Sequence, residues 1–376
     1  MSAARPDKKR LDLAVFIPTL EIGGAERVVV NLTRSFAEQG KSVDLVLARR
    51  GGALLDELDP RVRLRHLGAS NRATVVPALA RYLRHAAPRA LLSHMDVANV
   101  AALLAHAASR APTRIVVCSH LVVSEQVVHA QRRQDRWVAR TLRWLYPRAD
   151  AVVAVSDGVA SDLADLARLP RSRITVIHNP VVTNELLARS HDSLEHPWFG
   201  ADQPPVVVAA GRLVPQKDYP TLLHAFERAR RDRPLRLMIL GEGGERALLE
   251  GLIRKLDLAE DVSLSGLVEN PYPYFAGASV LALSSAWEGF GNVLVEALAC
   301  GTPVVSTDCP SGPGEILEGG RYGRLVPVGD HEALAAALLS TLDEPPKPDG
   351  LRRRAAQFTP DAAARRYLDL ALDGDC

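Results

Sequence analysis

Three short segments hold residues whose types and spacing suit anion and sugar chemistry. In Gly211-Arg212-Leu213-Val214-Pro215-Gln216-Lys217, two cations stand where an apolar run gives way to a helical pattern. An Arg fork and a compact Lys ammonium can converge on one diphosphate; a pair of solvated surface charges is the plainer alternative. In Glu288-Gly289-Phe290-Gly291-Asn292-Val293-Leu294-Val295-Glu296, two glycines open a helix, whose first N–H groups face an anion. Glu288 before that helix and Glu296 one turn inside it can reach different hydroxyls of one sugar nucleotide. Glu296 interrupts the apolar run 293–299, and a carboxylate buried there needs partners, either ribose hydroxyls or a core Arg. Gly23-Gly24-Ala25-Glu26 at an earlier helix start is a weaker signal, since a Gly-Gly pair also makes an ordinary tight turn.

The elements that must position these residues follow from the apolar pattern. Short runs rich in Val, Ile, Leu and Ala predict strands at 11–17, 43–48, 62–66, 90–93, 114–118, 151–155 and 173–177. Amphipathic stretches at 25–39, 74–87, 97–109 and 125–146 predict helices between them. Strands without in–out alternation are covered on both faces, which implies a doubly wound parallel sheet. After His178-Asn179-Pro180 the pattern breaks, and residues 183–204 with Pro197, Pro204 and Pro205 read as an irregular linker. Strands then resume at 206–210, 235–240, 262–264, 279–283, 303–305 and 324–326, with helices near 218–231, 244–257, 292–300 and 330–342. A Pro-rich break at 344–348 precedes a last helix near 360–372. The expectation is an α/β protein of two facing Rossmann-like domains with an interdomain cleft. The first spans 1–180, the second 181–359, and the terminal helix, about 360–376, packs back on the first.

At 376 residues the chain exceeds what one core usually organises. Its net charge of +2 hides an asymmetry: residues 1–180 carry 27 Lys+Arg against 16 Asp+Glu, the remainder 19 against 28. A basic first half suits an anionic partner, or simply the acidic half. The first apolar run, 11–17, contains Asp12 and ends at Pro18, too short and polar for a signal peptide. A cytoplasmic protein is expected, with a peripheral place on the inner face of the membrane as an extension. That extension rests on 131–148, where Arg132, Arg133, Arg136, Arg140, Arg143 and Arg148 interleave with Trp137, Val138, Leu142, Trp144 and Leu145. Cys118, Cys300, Cys309 and Cys376 show no metal-ligand spacing, and the one Asp-x-Asp, at 373–375, sits in the tail. No metal, no other cofactor and no nucleic-acid partner is expected.

Together these segments resemble glycosyltransferase family 4, which has the GT-B fold, and the resemblance runs along nearly the whole chain. It includes the Gly23-Gly24 loop, His120 after strand 114–118, Gly211-Arg212 with Lys217, the turn Gly241-Glu242-Gly243, the E-x7-E pair Glu288 and Glu296, and the loop 307–315. The resemblance implies catalytic roles for His120, Arg212, Lys217 and Glu288. Arg212 and Lys217 would hold the donor diphosphate, Glu288 the transferred sugar, and His120 that sugar from the first domain. Gly23, Gly24, Gly211, Gly241, Val268, Phe290, Gly291, Asn292 and Glu296 would bind the nucleotide-sugar donor, with Glu296 on the ribose and the backbone near Gly266-Leu267-Val268 at the base. His94 and Asp96, at the end of strand 90–93, would face the acceptor. The implied activity is retaining transfer of a hexose or N-acetylhexosamine, UDP-linked as is common in the family, to a saccharide or lipid-linked acceptor in surface-glycan synthesis.

Three other readings share parts of this pattern. A dinucleotide oxidoreductase lacks Gly-x-Gly-x-x-Gly at either first strand–helix turn. A GT-B nucleotide-sugar epimerase shares the fold. A non-catalytic sugar-nucleotide-binding partner would have little reason to keep Arg212, Lys217, Glu288 and Glu296 together.

Overall fold

The computed structural model describes residues 10–69, 71–129, 133–200 and 202–372. Strands are β1 (Leu13–Ile17), β2 (Val43–Leu47), β3 (Arg63–His66), β4 (Ala90–His94), β5 (Arg114–Ser119), β6 (Ala151–Ala154) and β7 (Ile174–Val176) in one sheet. β8 (Val206–Ala210), β9 (Arg236–Leu240), β10 (Val262–Gly266), β11 (Val280–Leu283), β12 (Val304–Thr307) and β13 (Arg324–Val326) form the other. The orders are β3-β2-β1-β4-β5-β6-β7 and β10-β9-β8-β11-β12-β13. Every strand pairing in both sheets is parallel. These are doubly wound sheets, each reversing its order once, at β1/β4 and at β8/β11.

Two compact units result: Met1–Val155 with Val159–Pro180 and Pro360–Cys376, and Ser156–Gly158 with Val181–Thr359. Helices supply the faces the strands need. The helix Tyr219–Arg230 buries Tyr219, Leu222, Leu223, Ala225, Phe226 and Ala229, one stripe at helical spacing. Asp218 caps it, its carboxylate accepting from the Thr221 hydroxyl at 2.7 Å. The helix His331–Asp343 adds Leu334, Ala335 and Leu338 to the same core. Each large apolar side chain removed from water there contributes about 1.5–3 kcal/mol. Edge strand β3 is the exception to burial: Arg63 and Arg65 point to the Asp44 carboxylate of β2 and leave charge along an otherwise pairable edge.

The strands and most helices lie where the sequence pattern puts them, within a few residues. Three expectations change. The stretch 125–146 is two helices, Val123–Val128 and Arg133–Leu145, the first closed by the His129 N–H returning to Glu125 O. The stretch 183–204 holds the helix Asn184–Arg189, which Thr183 starts by accepting from Leu186 N at 3.0 Å. Pro348 does not interrupt structure but opens the helix Pro348–Ala355, because proline's missing N–H costs nothing in a first turn. Arg132 and residues 373–376 lie outside the described residues. No helix among the described residues is long and apolar enough to cross a membrane.

The start of the first sheet is pinned by Asp12, whose carboxylate accepts from the Ser42 N–H at 2.9 Å and the Ser42 hydroxyl at 2.8 Å. Burial pushes this carboxyl up, but the Ser42 hydrogen bonds and the Arg89 guanidinium outweigh it and hold it below its ordinary value of 3.8. A carboxyl depressed in the fold contributes stability that is present above pH 3.8 and lost as pH falls through and below it. Asp12→Asn is therefore expected to cost about 1 kcal/mol at pH 7 and to flatten the acid side of the stability profile in urea unfolding. An unchanged profile would remove Asp12 from the acid transition.

Candidate active site

Ligands of doubly wound sheets sit at the carboxyl ends of the strands where the order reverses. In the second unit that place lies between β8 and β11, and the chain leaves β8 as Gly211–Lys217 and β11 as Ser284–Glu288. Lys217 Nζ and Glu288 Oε1 meet there at 2.5 Å, with side chains only 14% and 8% exposed. Ser285 Oγ donates to the same carboxylate oxygen at 2.6 Å. The Ser284 hydroxyl holds Lys217 O at 2.7 Å, the Gln216 amide donates to Trp287 O at 2.9 Å, and the Ala286 N–H donates to Gln216 O at 2.9 Å. Two loops 71 residues apart are thus bound along their length. Ser284, Ser285 and Gln216 were missed in the sequence; the two serines ending the apolar run of β11 were the available signal.

Arg212 is exposed on the same loop as Lys217, and its guanidinium has no side-chain partner among the described residues. Gly291 caps the helix Asn292–Cys300 at φ 97°, and Phe290 is buried with its ring against Phe358. Leu294, Val295, Ala297 and Leu298 face the core. Asn292, Val293 and Glu296 share the remaining, half-buried face. The expectation of a deeply buried Glu296 is corrected accordingly: the apolar run wraps the helix except on the side that carries this carboxylate.

The glycines divide by what surrounds them. Gly23 caps the helix Gly24–Glu38 in extended conformation, and a Cβ there would meet the Glu26 carboxylate at 2.3 Å. A Cβ on Gly241, at φ 151°, would sit 2.0 Å from Gly211 O, and one on Gly211 would sit 2.9 Å from Lys217 Cε. The Gly211 N–H also donates to Leu240 O and the Gly241 N–H to Gly266 O. Gly211 and Gly241 let the β8 and β9 loops touch, so the first structural demand on them is backbone approach. Beyond β10, Leu267 is 66% exposed and Val268 half-buried, an apolar pair at a strand end.

In the first unit the residues at the β1/β4 reversal and its neighbour β5 are buried. His94 Nδ1 and His120 Nε2 are 2.9 Å apart. Burial pushes the His94 imidazole well below its ordinary range, with His120 adding to it, and takes His120 down to about 4, so both rings are neutral at pH 7. Asp96 accepts from Tyr146 OH at 2.6 Å and from Ser119 Oγ at 3.0 Å, and burial raises its carboxyl to about 6. Asp96 holds the strand-end loops together, and His94 is fully enclosed. Linear spacing shows no metal-ligand pattern among the cysteines. Among the described residues His94, Cys118 and His120 form one cluster with ligand atoms within 4.8 Å, assembled from two strand ends that linear spacing does not connect.

Two doubly wound parallel units, the second with a Lys–Glu pair at its order reversal, have the architecture of the GT-B glycosyltransferases, enzymes of the hexosyltransferase kind. The profile for glycosyl transferases group 1 matches residues 195–358, and that for glycosyltransferase family 4 matches residues 22–185. The chain belongs to glycosyltransferase family 4. It is 29% identical to the lipopolysaccharide core biosynthesis glycosyltransferase LpsE of Rhizobium meliloti over 93% of this chain and 95% of that one. It is 32% identical to the N-acetylgalactosamine-N,N'-diacetylbacillosaminyl-diphospho-undecaprenol 4-alpha-N-acetylgalactosaminyltransferase of Campylobacter jejuni, the match spanning 53% of each chain, about half of that relative's length. The fold matches that of Anabaena Alr3699/HepE, solved with UDP and glucose, at TM-score 0.77 and 20% identity, over 96% of this chain and 99% of that one.

The backbone contact at Gly211 and Gly241 yields a stability test. Gly241→Ala must strain a left-handed-side φ and displace a carbonyl, so a loss of about 2 kcal/mol or more is expected in thermal or urea unfolding. Gly244→Ala, where nothing lies within 4 Å of the added methyl, is the near-neutral control. Equal stability of the two variants would refute the close-approach account.

Proposed function

We propose that the protein transfers a hexosyl or N-acetylhexosaminyl group, with retention of configuration, from a UDP-linked donor to a saccharide or lipid-linked saccharide during surface-glycan synthesis. The observation that carries this reading is the buried Lys217–Glu288 pair at the β8/β11 reversal, with Arg212, unpartnered among the described residues, on the same loop as Lys217. Arg212 and Lys217 bind the diphosphate and stabilise the charge it gains on leaving; the Phe290 and Gly291 N–H groups and Glu288 hold the sugar. Asn292 and Glu296, on one open helix face, take the ribose, and the exposed Leu267 with Val268 gives the base an apolar platform. A neutral His120 suits a sugar that becomes positive in the transition state, because an imidazolium would repel it. LpsE supports lipopolysaccharide core synthesis by its name, the Campylobacter relative a diphospho-undecaprenol-linked acceptor, and the Anabaena structure a UDP donor.

Arg212→Ala is the clean test, since no side chain among the described residues depends on that guanidinium. Losing one donor to the leaving group costs roughly 3 kcal/mol of barrier, or about a hundredfold in transfer, with unchanged melting. Lys217→Ala is expected to lose as much activity and some stability too, because it leaves the Glu288 carboxylate without its cation. Transfer by these cations needs no divalent metal, so NMR of the product formed in EDTA is expected to show an α-linkage from an α-donor. Full activity of Arg212→Ala, a β-product, or activity lost in EDTA and restored by magnesium would each remove the corresponding part of the reading.

A second element supports work at a membrane surface. On the helix Arg133–Leu145, Leu142 is buried while Trp137 and Trp144 are 51% and 61% exposed, with Arg140 and Arg143 also exposed. The side chains of Arg133, Arg136 and Val138 are not among the described ones. Two outward indoles one heptad apart amid arginines suit an anionic interface. Sedimentation with phosphatidylglycerol vesicles is expected to fall about tenfold in the double variant Trp137→Ser, Trp144→Ser, and to weaken with salt in the parent. Binding that ignores both changes would leave the helix without this role.

A further inference from the structure

We propose that Arg354 is a positioning residue for sugar transfer, its buried guanidinium setting the Gly289-Phe290-Gly291 turn from the far end of a short strut. The proposal rests on the reading that the Phe290 and Gly291 N–H groups hold the sugar, and it names what fixes them. Among the described residues Arg354 is the one buried Lys or Arg, at 7% exposure. Its neighbours Arg352 and Arg353 on the helix Pro348–Ala355 are exposed, while Leu351 and Ala355 bury that helix's apolar side. The helix is thus anchored without a charge, and a cation that is costly to bury needs another account.

The guanidinium is directed at one loop. Its Nε donates to Ile316 O at 2.8 Å and its Nη2 to Glu315 O at 2.7 Å. Nη1 pairs with Glu318 Oε1 at 2.8 Å and also reaches Gln357 Oε1. Both carbonyls end the one-turn helix Pro313–Ile316, where helices leave C=O groups short of intrahelical partners. A planar Arg fork spans two such carbonyls at once, a geometry that a Lys ammonium does not reproduce.

The other end of that helix meets the turn. Gly312 caps it at φ 90°, and a Cβ there would collide with Phe290 O. Ser311 Oγ donates to Gly289 O at 2.8 Å, and Ile316 Cδ1 lies 3.8 Å from where a Cβ on Gly291 would stand. A second route runs through rings: Arg354 Cζ is 4.9 Å from the Phe358 ring centroid, and Phe358 meets Phe290 edge to face at 5.5 Å. Arg354 therefore grips both supports of the turn. N–H groups that stabilise a reacting sugar act only if aimed in advance, and a misplacement of about 1 Å costs on the order of a hundredfold. The diphosphate and ribose fall, in the same reading, to Arg212, Lys217 and Glu296 on other segments. A loosened turn then slows the chemical step more than it weakens donor binding.

The test compares full-length Arg354→Lys with the parent by hydrogen exchange and by UDP release from UDP-glucose and UDP-N-acetylglucosamine. Amides of Glu288–Asn292 are expected to exchange about tenfold faster or more, with those of the helix His331–Asp343 unchanged. For whichever donor the parent turns over, kcat is expected to fall about tenfold or more with KM within about twofold. Leu338→Ala, a core truncation in the same unit, is expected to lose stability yet keep kcat and the parent's exchange at the turn below its melting temperature. Arg354→Met fills similar volume without a buried charge and is expected to reproduce the split should the Lys variant not fold. Gly312→Ala, whose methyl presses on Phe290 O, is expected to disturb the same turn from the other end of the strut. Unchanged turn exchange in a folded Arg354 variant overturns the positioning role, as does a loss of kcat that Leu338→Ala shares. Faster turn exchange with kcat intact overturns the link to transfer and removes the Phe290 and Gly291 N–H groups from the sugar. Failure of the parent to release UDP from either donor removes the UDP reading alone; exchange at the turn, with the donor the parent does use, then decides on Arg354.

Discussion

The reversal of strand order in a parallel sheet is the constraint from which the rest follows. A parallel strand is buried on both faces, so its side chains are committed to the core, and only the loop at its carboxyl end is free to do chemistry. Where order reverses, the connections leave adjacent strands toward opposite faces, and the edge between them stays open. In the second unit the segments that leave β8 and β11 face each other there, bound by the Gln216, Ala286 and Ser284 contacts. Lys217 and Glu288 are held at 2.5 Å by this backbone arrangement rather than by proximity in sequence.

That same constraint explains what could be read from the sequence. All five side chains of β1, β2 and β4 are buried, so these strands appear as mainly apolar runs, broken only by Asp44 in β2 and Ser93-His94 at the end of β4, and their positions follow directly. Helices with one buried stripe, such as Tyr219–Arg230, were equally legible. The short helices were not, because their signals are caps rather than periodicity. Thr183 starts one and Pro348 another, and both residue types also mark loops. Arg354, buried on the second of these helices, donates to Glu315 O and Ile316 O, a contact no local pattern announces.

For the site, linear spacing revealed residues that share one loop and hid those that meet across strands. Arg212 with Lys217, and Glu288 with Glu296, stand in recognisable segments; that Lys217 joins Glu288 is a property of the β8/β11 pairing. The His94, Cys118 and His120 cluster is the same lesson in the first unit, since β4 and β5 are neighbours in space with a helix between them in sequence. Glycines carry a structural demand that the sequence does not separate from ligand binding. A Cβ on Gly241 would meet the Gly211 carbonyl, and one on Gly211 the Lys217 side chain.

The electrostatics of the second unit's pair assigns different work to the two cations. Lys217 is neutralised at rest by Glu288, which also accepts from Ser285. It therefore adds little net field, but its four-carbon stem is already ordered, and ordering such a side chain costs up to about 2 kcal/mol when a ligand must do it. Arg212 is exposed and unpaired among the described residues, so under the proposed function it would supply the uncompensated positive charge that draws a dianion in. The N-terminal turn behind Gly291 adds partial charge of the same sign at fixed backbone positions. Under the proposed function, a diphosphate would meet one charge that attracts it, one ammonium whose position is set by a carboxylate, and a carboxylate that faces the sugar. The ion pair is thus better understood as a positioning device than as a source of stability, which is the role a nearly buried pair can fill at small net energetic gain.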